Sequence, residues 1–255
     1  MKAVLDVLII VFALVVLVIA HEFGHFLMAK HYGVEVSEFS IGFGPKLFGT
    51  VKNGTAWNFR ALLLGGYCAI EEESIFKQSP WHRIAIFIAG PMVNFCLAII
   101  SWILMDKLKY GMPFWLAFSR AVSTMFKILP SIGKGIVMSM SISSNAVTIA
   151  ESSQKIVTMV QSQTTFTNAV IVFLLVAYSV NAILFITNIV PIPALDGGQI
   201  LFTIPELFGK KPDRQILSRI TTAFYFALLG FSIIYILKDV GLQIWRMLSP
   251  TTFTV

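Results

Sequence analysis

Val7-Leu8-Ile9-Ile10-Val11-Phe12-Ala13-Leu14-Val15-Val16-Leu17-Val18-Ile19-Ala20 runs without a charge into His21-Glu22-Phe23-Gly24-His25, and the apolar character then resumes from Phe26 to Ala29. About 18 or more apolar residues suffice to cross a bilayer, so this is a membrane span that carries polar groups inside it. Counted from Val7 at about 1.5 Å per residue, His21 lies roughly 21 Å into a hydrocarbon core about 30 Å thick. Ionisable groups at that depth cost on the order of a few kcal/mol each, which marks them as functional candidates.

Working outward, further uncharged runs of spanning length occur at 84–105, 169–190 and 220–237. The whole chain of 255 residues is 56% hydrophobic and only 13% charged. In ordinary soluble domains charged residues approach roughly a quarter of the chain, which excludes that class. The expected fold is an all-α multispanning membrane protein with four transmembrane helices near 4–30, 82–106, 167–190 and 218–238. A small membrane-associated β-hairpin or sheet follows the first span, and an interfacial amphipathic helix lies between the second and third. We read 1–255 as a single domain. The net charge of +6 suits anionic lipid head groups, and nucleic acid is not an expected partner. Lys2 and the run behind it look like the start of a signal peptide, but no small-residue cleavage site follows, so the segment is read as a retained span.

Between the first two spans, alternation in Val34-Glu35-Val36-Ser37-Glu38-Phe39 and in Trp57-Asn58-Phe59-Arg60-Ala61 predicts short strands. Asn53-Gly54 is a hairpin signal. Leu62-Leu63-Leu64-Gly65-Gly66-Tyr67 carries no charge, so part of this sheet is expected to dip toward the membrane, where its backbone groups need protein or water partners. Glu71-Glu72-Glu73 reads as a solvated turn. Cys68, in a loop, and Cys96, in the second span, are expected to be small buried residues rather than a disulfide pair. Trp115, Phe118, Val122, Met125, Phe126 and Leu129 fall at helical spacing opposite Ser119, Arg120, Ser123, Thr124 and Lys127, which gives the interfacial helix. The stretch 135–150 is uncharged, but its Ser, Met and Asn content argues against a fifth span.

His21-Glu22-Phe23-Gly24-His25 is an HExxH pattern, which sets two imidazoles one turn apart on one helix face with a carboxylate beside them. That spacing suits zinc, one ion per chain. Catalytic zinc commonly takes three protein ligands and keeps a position for water. Parity of the spans selects the third: the ends of spans one and three share a membrane face, so Asp196 lies on the side of His25, whereas Asp106 and Asp239 lie opposite. Prolines at 191 and 193 and glycines at 197 and 198 suit an irregular segment that turns the carboxylate back toward the metal. Glu22 then serves as general base for peptide hydrolysis. The alternative is a zinc or ion transporter that uses the histidines and Asp196 as a transit site. Counting Lys and Arg gives ten on the side of the first and third loops and nine on the other, so charge bias does not orient the chain.

With HEFGH and LDGG in place, the chain resembles the site-2 protease family of intramembrane zinc metalloproteases, in its bacterial regulator-of-sigma-E protease branch. The likeness includes Phe39-Ser40-Ile41-Gly42-Phe43-Gly44-Pro45, Leu64-Gly65-Gly66-Tyr67, Ala89-Gly90-Pro91-Met92-Val93-Asn94-Phe95 and the Asn188 to Pro193 lead-in to the aspartate. It implies His21, His25 and Asp196 on zinc, Glu22 as general base, and Asn94 and Asn188 holding the backbone of an unwound substrate helix. It also implies an edge strand, Ala61, Leu62, Leu63 and Leu64, that pairs with substrate. The implied partner is a transmembrane protein substrate within the lipid bilayer, cut by regulated intramembrane proteolysis. The implied location is the inner (plasma) membrane, with the active site toward the cytoplasm and both termini outside. The resemblance names neither a substrate nor an oligomeric state. Relatives usually carry a PDZ domain after the second span, and 106–165 is too short and too occupied to hold one. Gln199 stands where the family often has His, and Asn145-Ala146-Val147 replaces a Gly-Pro-Ile-like stretch.

Overall fold

A computed structural model describes residues 2–140, 166–210 and 212–248. In chain order the elements are α1 (Lys2–His31), β1 (Val36–Lys52), β2 (Thr55–Ile70), α2 (Glu72–Phe76), α3 (Pro80–Tyr110), α4 (Phe114–Met140), α5 (Phe166–Ile189), α6 (Asp196–Leu207) and α7 (Arg214–Leu248). Four helices are long and apolar enough to cross a membrane, over Leu14–His31, Pro80–Tyr110, Val170–Ile189 and Arg214–Ile234. The multispanning expectation holds. Part of the stretch 135–150, and residues 141–165 of the segment expected to lack a PDZ domain, lie outside the described residues.

α3 is the central post. Ser79 caps it, accepting a 3.3 Å hydrogen bond from the His82 N–H, with Pro80 at the first position, and Gly111 closes it in the left-handed conformation at φ 62°. α1, α4, α5 and α6 all pack against it. α1 comes closest at Gly24, where a Cβ would stand 2.7 Å from the Ala89 carbonyl oxygen and 2.8 Å from Val93 Cγ2. Without a hydrophobic effect to drive association in lipid, such small-residue contacts let backbones approach and gain dispersion. In α7 none of the apolar window Arg214–Ile234 is buried.

The strands are longer than the sequence suggested. β1 and β2 form an antiparallel hairpin closed at Asn53 (φ 51°) and Gly54 (φ 74°), the two positive angles that a tight hairpin turn demands. Glu38 through Ile41 each have a partner in both halves of β2, so the hairpin curls back on itself; Phe39, for example, pairs with both Cys68 and Trp57. A polar network fastens the curl: Arg60 donates to Glu38 Oε1 at 2.6 Å, to Ser40 Oγ at 3.0 Å and to the Gly44 carbonyl at 2.8 Å, and Tyr67 donates to Glu38 Oε1 at 2.9 Å. The opposite character prevails on the hairpin surface, where Phe43, Leu47, Phe48, Val51, Leu62, Leu63 and Leu64 are all exposed.

Several local expectations are corrected. Glu72 and Glu73 open the short helix α2, whose acidic first turn complements the helix dipole, and only Glu71 precedes it. Cys68 lies in β2 and is half-buried, while Cys96 is exposed on the outer face of α3. In lipid an exposed thiol-bearing side chain costs little, which is why burial does not follow from its apolar character. α4 is helical as expected, but it buries Ala117, Ala121 and Met125 and exposes Trp115, Phe118 and Phe126. Its small side chains meet Ala98, Ile99, Tyr178 and Ala182, and the Tyr178 hydroxyl donates to the Ala121 carbonyl at 2.9 Å. Arg120, expected on a polar outer face, reaches fully buried Asp106 at 3.4 Å, and Asp106 also accepts from Trp102 Nε1 at 3.0 Å.

Candidate metal centre

Three elements meet at the centre. α1 brings His21 and His25, one turn apart and both buried, with their Nε2 atoms 3.2 Å from each other. Asp196 is the first residue of α6, and its Oδ2 lies 3.2 Å from His21 Nε2 and 3.4 Å from His25 Nε2. The three ligand-capable atoms all fall within 4.8 Å of one another.

The loop between α5 and α6 turns the carboxylate inward as the prolines and glycines suggested, but the helix that carries it onward was not anticipated. Gly197 sits against the carbonyls of Ile189 and Val190, and Gly198 against that of Ile192, where any Cβ would collide with main chain. Those glycines therefore permit the return of the loop across the start of α6.

α3 closes the site. His25 Nδ1 lies 2.8 Å from the Ile86 carbonyl, and Asn94, fully buried, sets its amide 2.9 Å from His21 Nδ1. Between them stands Gly90, whose missing Cβ would fall 2.7 Å from His25 Cε1, 2.8 Å from His21 Nε2 and closer still to His25 Nε2. Glu22 is held from another side, its Oε2 accepting from the Cys68 N–H of β2 at 3.1 Å. The residues that sequence reasoning passed over are thus Ile86 and Cys68, which act through main-chain atoms, and Gly90, which acts by lacking one. Asn188 is half-buried near the end of α5 and donates to the Leu184 carbonyl of its own helix at 3.0 Å. In β2, Leu62 pairs with Phe43, and Ala61, Leu63 and Leu64 have no strand partner among the described residues.

The donor set fits a divalent cation on an electronic argument. A carbonyl only accepts, so the Ile86 oxygen requires the hydrogen on His25 Nδ1 and leaves Nε2 of the neutral ring as a bare lone pair. That lone pair faces Asp196 Oδ2, a buried acceptor with no hydrogen-bond partner among the described residues. Two acceptors turned on one another in a buried site are suited to a cation between them. Two imidazoles and one carboxylate form a donor set that zinc takes in catalytic sites.

Fold and site together define a multispanning membrane protein with a metal centre on its first span. The model of peptidase family M50 matches residues 9–231, and the chain belongs to that family. It is similar to the Clostridium perfringens protein CPE1693, 39% identical over 105 residues, which are 37% of this chain and 31% of that one. It is likewise similar to the zinc metalloprotease Rip1 of Mycobacterium tuberculosis, 34% identical over 122 residues, 41% of this chain and 30% of Rip1. The matches thus take in under a third of those relatives' length.

Proposed function

We propose that this chain is an intramembrane zinc metalloendopeptidase that hydrolyses peptide bonds within or near transmembrane segments of other membrane proteins. The observation that carries the reading is the meeting of His21, His25 and Asp196 beside Glu22, whose carboxylate is already oriented by the Cys68 N–H. When bound, the metal supplies Lewis-acid polarisation of the scissile carbonyl and lowers the pKa of water. His21 and His25 are presented from one helix face, and Asp196 completes the set from α6. With Oε2 engaged by Cys68, Glu22 keeps Oε1 to take a proton from water and return it to the leaving amine. An ion-transit site needs no such acid–base carboxylate, which disfavours transport.

A substrate helix keeps its peptide groups bonded internally and must be unwound before cleavage. Ala61, Leu63 and Leu64, extended and without strand partners among the described residues, offer the backbone groups to receive it, and Asn188 offers an amide. α4 is read as lying at the membrane surface with its aromatic residues toward lipid. The chain is placed in the inner (plasma) membrane, with the active site toward the cytoplasm. Its partners are then the bilayer and a transmembrane protein.

The test pairs metal content with cleavage of a transmembrane substrate in detergent. Glu22→Gln is expected to retain stoichiometric zinc and lose cleavage, and His21→Ala to lose the metal. Full activity in Glu22→Gln, or zinc flux into liposomes without proteolysis, would end the proposal.

A further inference from the structure

Among the described residues, Asn94 is the one side chain outside the ligand set with a hydrogen bond to a candidate ligand ring, and a donor at that position does not suit a ligating His21. In this structure its Nδ2, which can only donate, faces His21 Nδ1 at 2.9 Å. With Nδ2 in that place, Nδ1 would have to be the lone pair and the ring hydrogen would sit on Nε2, the atom 3.2 Å from Asp196 Oδ2 that a metal ligand needs bare. That placement also leaves Asn94 Oδ1 buried without a hydrogen-bond partner among the described residues. A ring that binds metal through Nε2 carries its hydrogen on Nδ1 and needs an acceptor there.

From these facts we infer that Asn94 is a positioning residue for His21, its carboxamide presenting Oδ1 to accept from Nδ1–H of the metal-bound ring. The inference rests on the metal-site reading. Rotation of the amide exchanges a donor for an acceptor at one position in space, and it gives the orphaned oxygen a partner. Asn is suited to this because it serves both tautomers of the ring, whereas His25 faces the Ile86 carbonyl and has only one. The same geometry departs from the role expected of Asn94 toward substrate: the side chain is fully buried, and its amide is already committed to the ring.

The test measures zinc affinity of the full chain in detergent by competition with a chromophoric chelator, alongside kcat and KM. Asn94→Leu, close in size and unable to accept, is expected to weaken zinc binding by about 10–100-fold, the usual cost of losing an outer partner of a ligating histidine. Asn94→Asp, an acceptor in the same place, is expected to bind zinc at least as tightly as the parent. Cobalt-loaded Asn94→Leu should show a shifted visible absorption band, and Asn94→Asp a band near that of the parent. Parental zinc affinity in Asn94→Leu with a raised KM would overturn the inference and return Asn94 to the substrate. Equal weakening in both variants would also overturn it, because a merely structural role does not distinguish acceptor from non-acceptor. Absence of zinc binding by the parent itself would instead remove the metal-site reading beneath it.

Discussion

Gly90→Ala adds one methyl group to the middle of the metal centre. The new carbon would stand 2.7 Å from His25 Cε1 and 2.8 Å from His21 Nε2. Non-bonded atoms of this kind rest at about 3.5–4.0 Å, so the rings must give way by roughly 1 Å. Metal–nitrogen distances tolerate only about 0.2 Å. Neither ring retreats freely, because His25 is tied to the Ile86 carbonyl at 2.8 Å and His21 to Asn94 at 2.9 Å, both on the helix that carries the methyl group. Overpacking a tight site costs about 1–3 kcal/mol. Expressed entirely in metal affinity, that is roughly a 5–150-fold weakening at 1.4 kcal/mol per decade. The assay is zinc retained per chain against a graded series of chelator concentrations, with thermal unfolding in the same detergent to show that the helices remain assembled. A Gly90→Ala protein that folds and holds zinc with parental affinity would refute the argument that this glycine makes room for the ligand atoms.

Arg83, almost wholly buried at 1% exposure, pairs with Glu206 at the far end of α6 from Asp196. Removing one partner of a buried pair strands the other, so Glu206→Gln should destabilise the protein by about 3 kcal/mol, at the low end because Glu206 is partly exposed. The double change Arg83→Met with Glu206→Leu should recover most of that loss, read by denaturant or thermal unfolding; no recovery would mean that the pair is not the source of the effect. In the sheet, burial alone would raise Glu38, but hydrogen bonds from Asn58, Arg60 and Tyr67, with the charge of Arg60, outweigh it and hold the carboxyl at about 2. A depressed carboxylate contributes stability above its unfolded value near 4.5 and loses it as pH falls toward about 2. Thermal midpoints of parent and Glu38→Gln should therefore converge across that window and differ most above it.

How much of this was legible in the sequence divides along a physical line. The HExxH pattern is local, so its helix and the facing of its histidines could be read directly, and the parity of spans one and three was enough to choose Asp196. The hairpin turn at Asn53-Gly54 was equally local. What escaped is what depends on a second element. The buried face of α4 was misjudged because in lipid a large apolar side chain is as comfortable outside as in, so hydrophobicity no longer points to the core, and Ala117 and Ala121 reach the interior by their small size. Arg120 looked like a solvated charge until Asp106 was found opposite it. Gly90 carried no signal of its own, since only the approach of α1 shows what its missing side chain makes way for.

Two of the contacts that steady the candidate site come from the polypeptide main chain: the Cys68 N–H on Glu22 and the Ile86 carbonyl on His25. Every residue type brings the same carbonyl, and every type but proline the same N–H. At position 68, then, nineteen of the twenty letters of the code leave the Glu22 carboxylate its donor. Natural drift there can reshape what the sheet displays without rewriting the chemistry, which confines inherited damage to the few sites where an atom of a side chain, or its absence, is itself the working part.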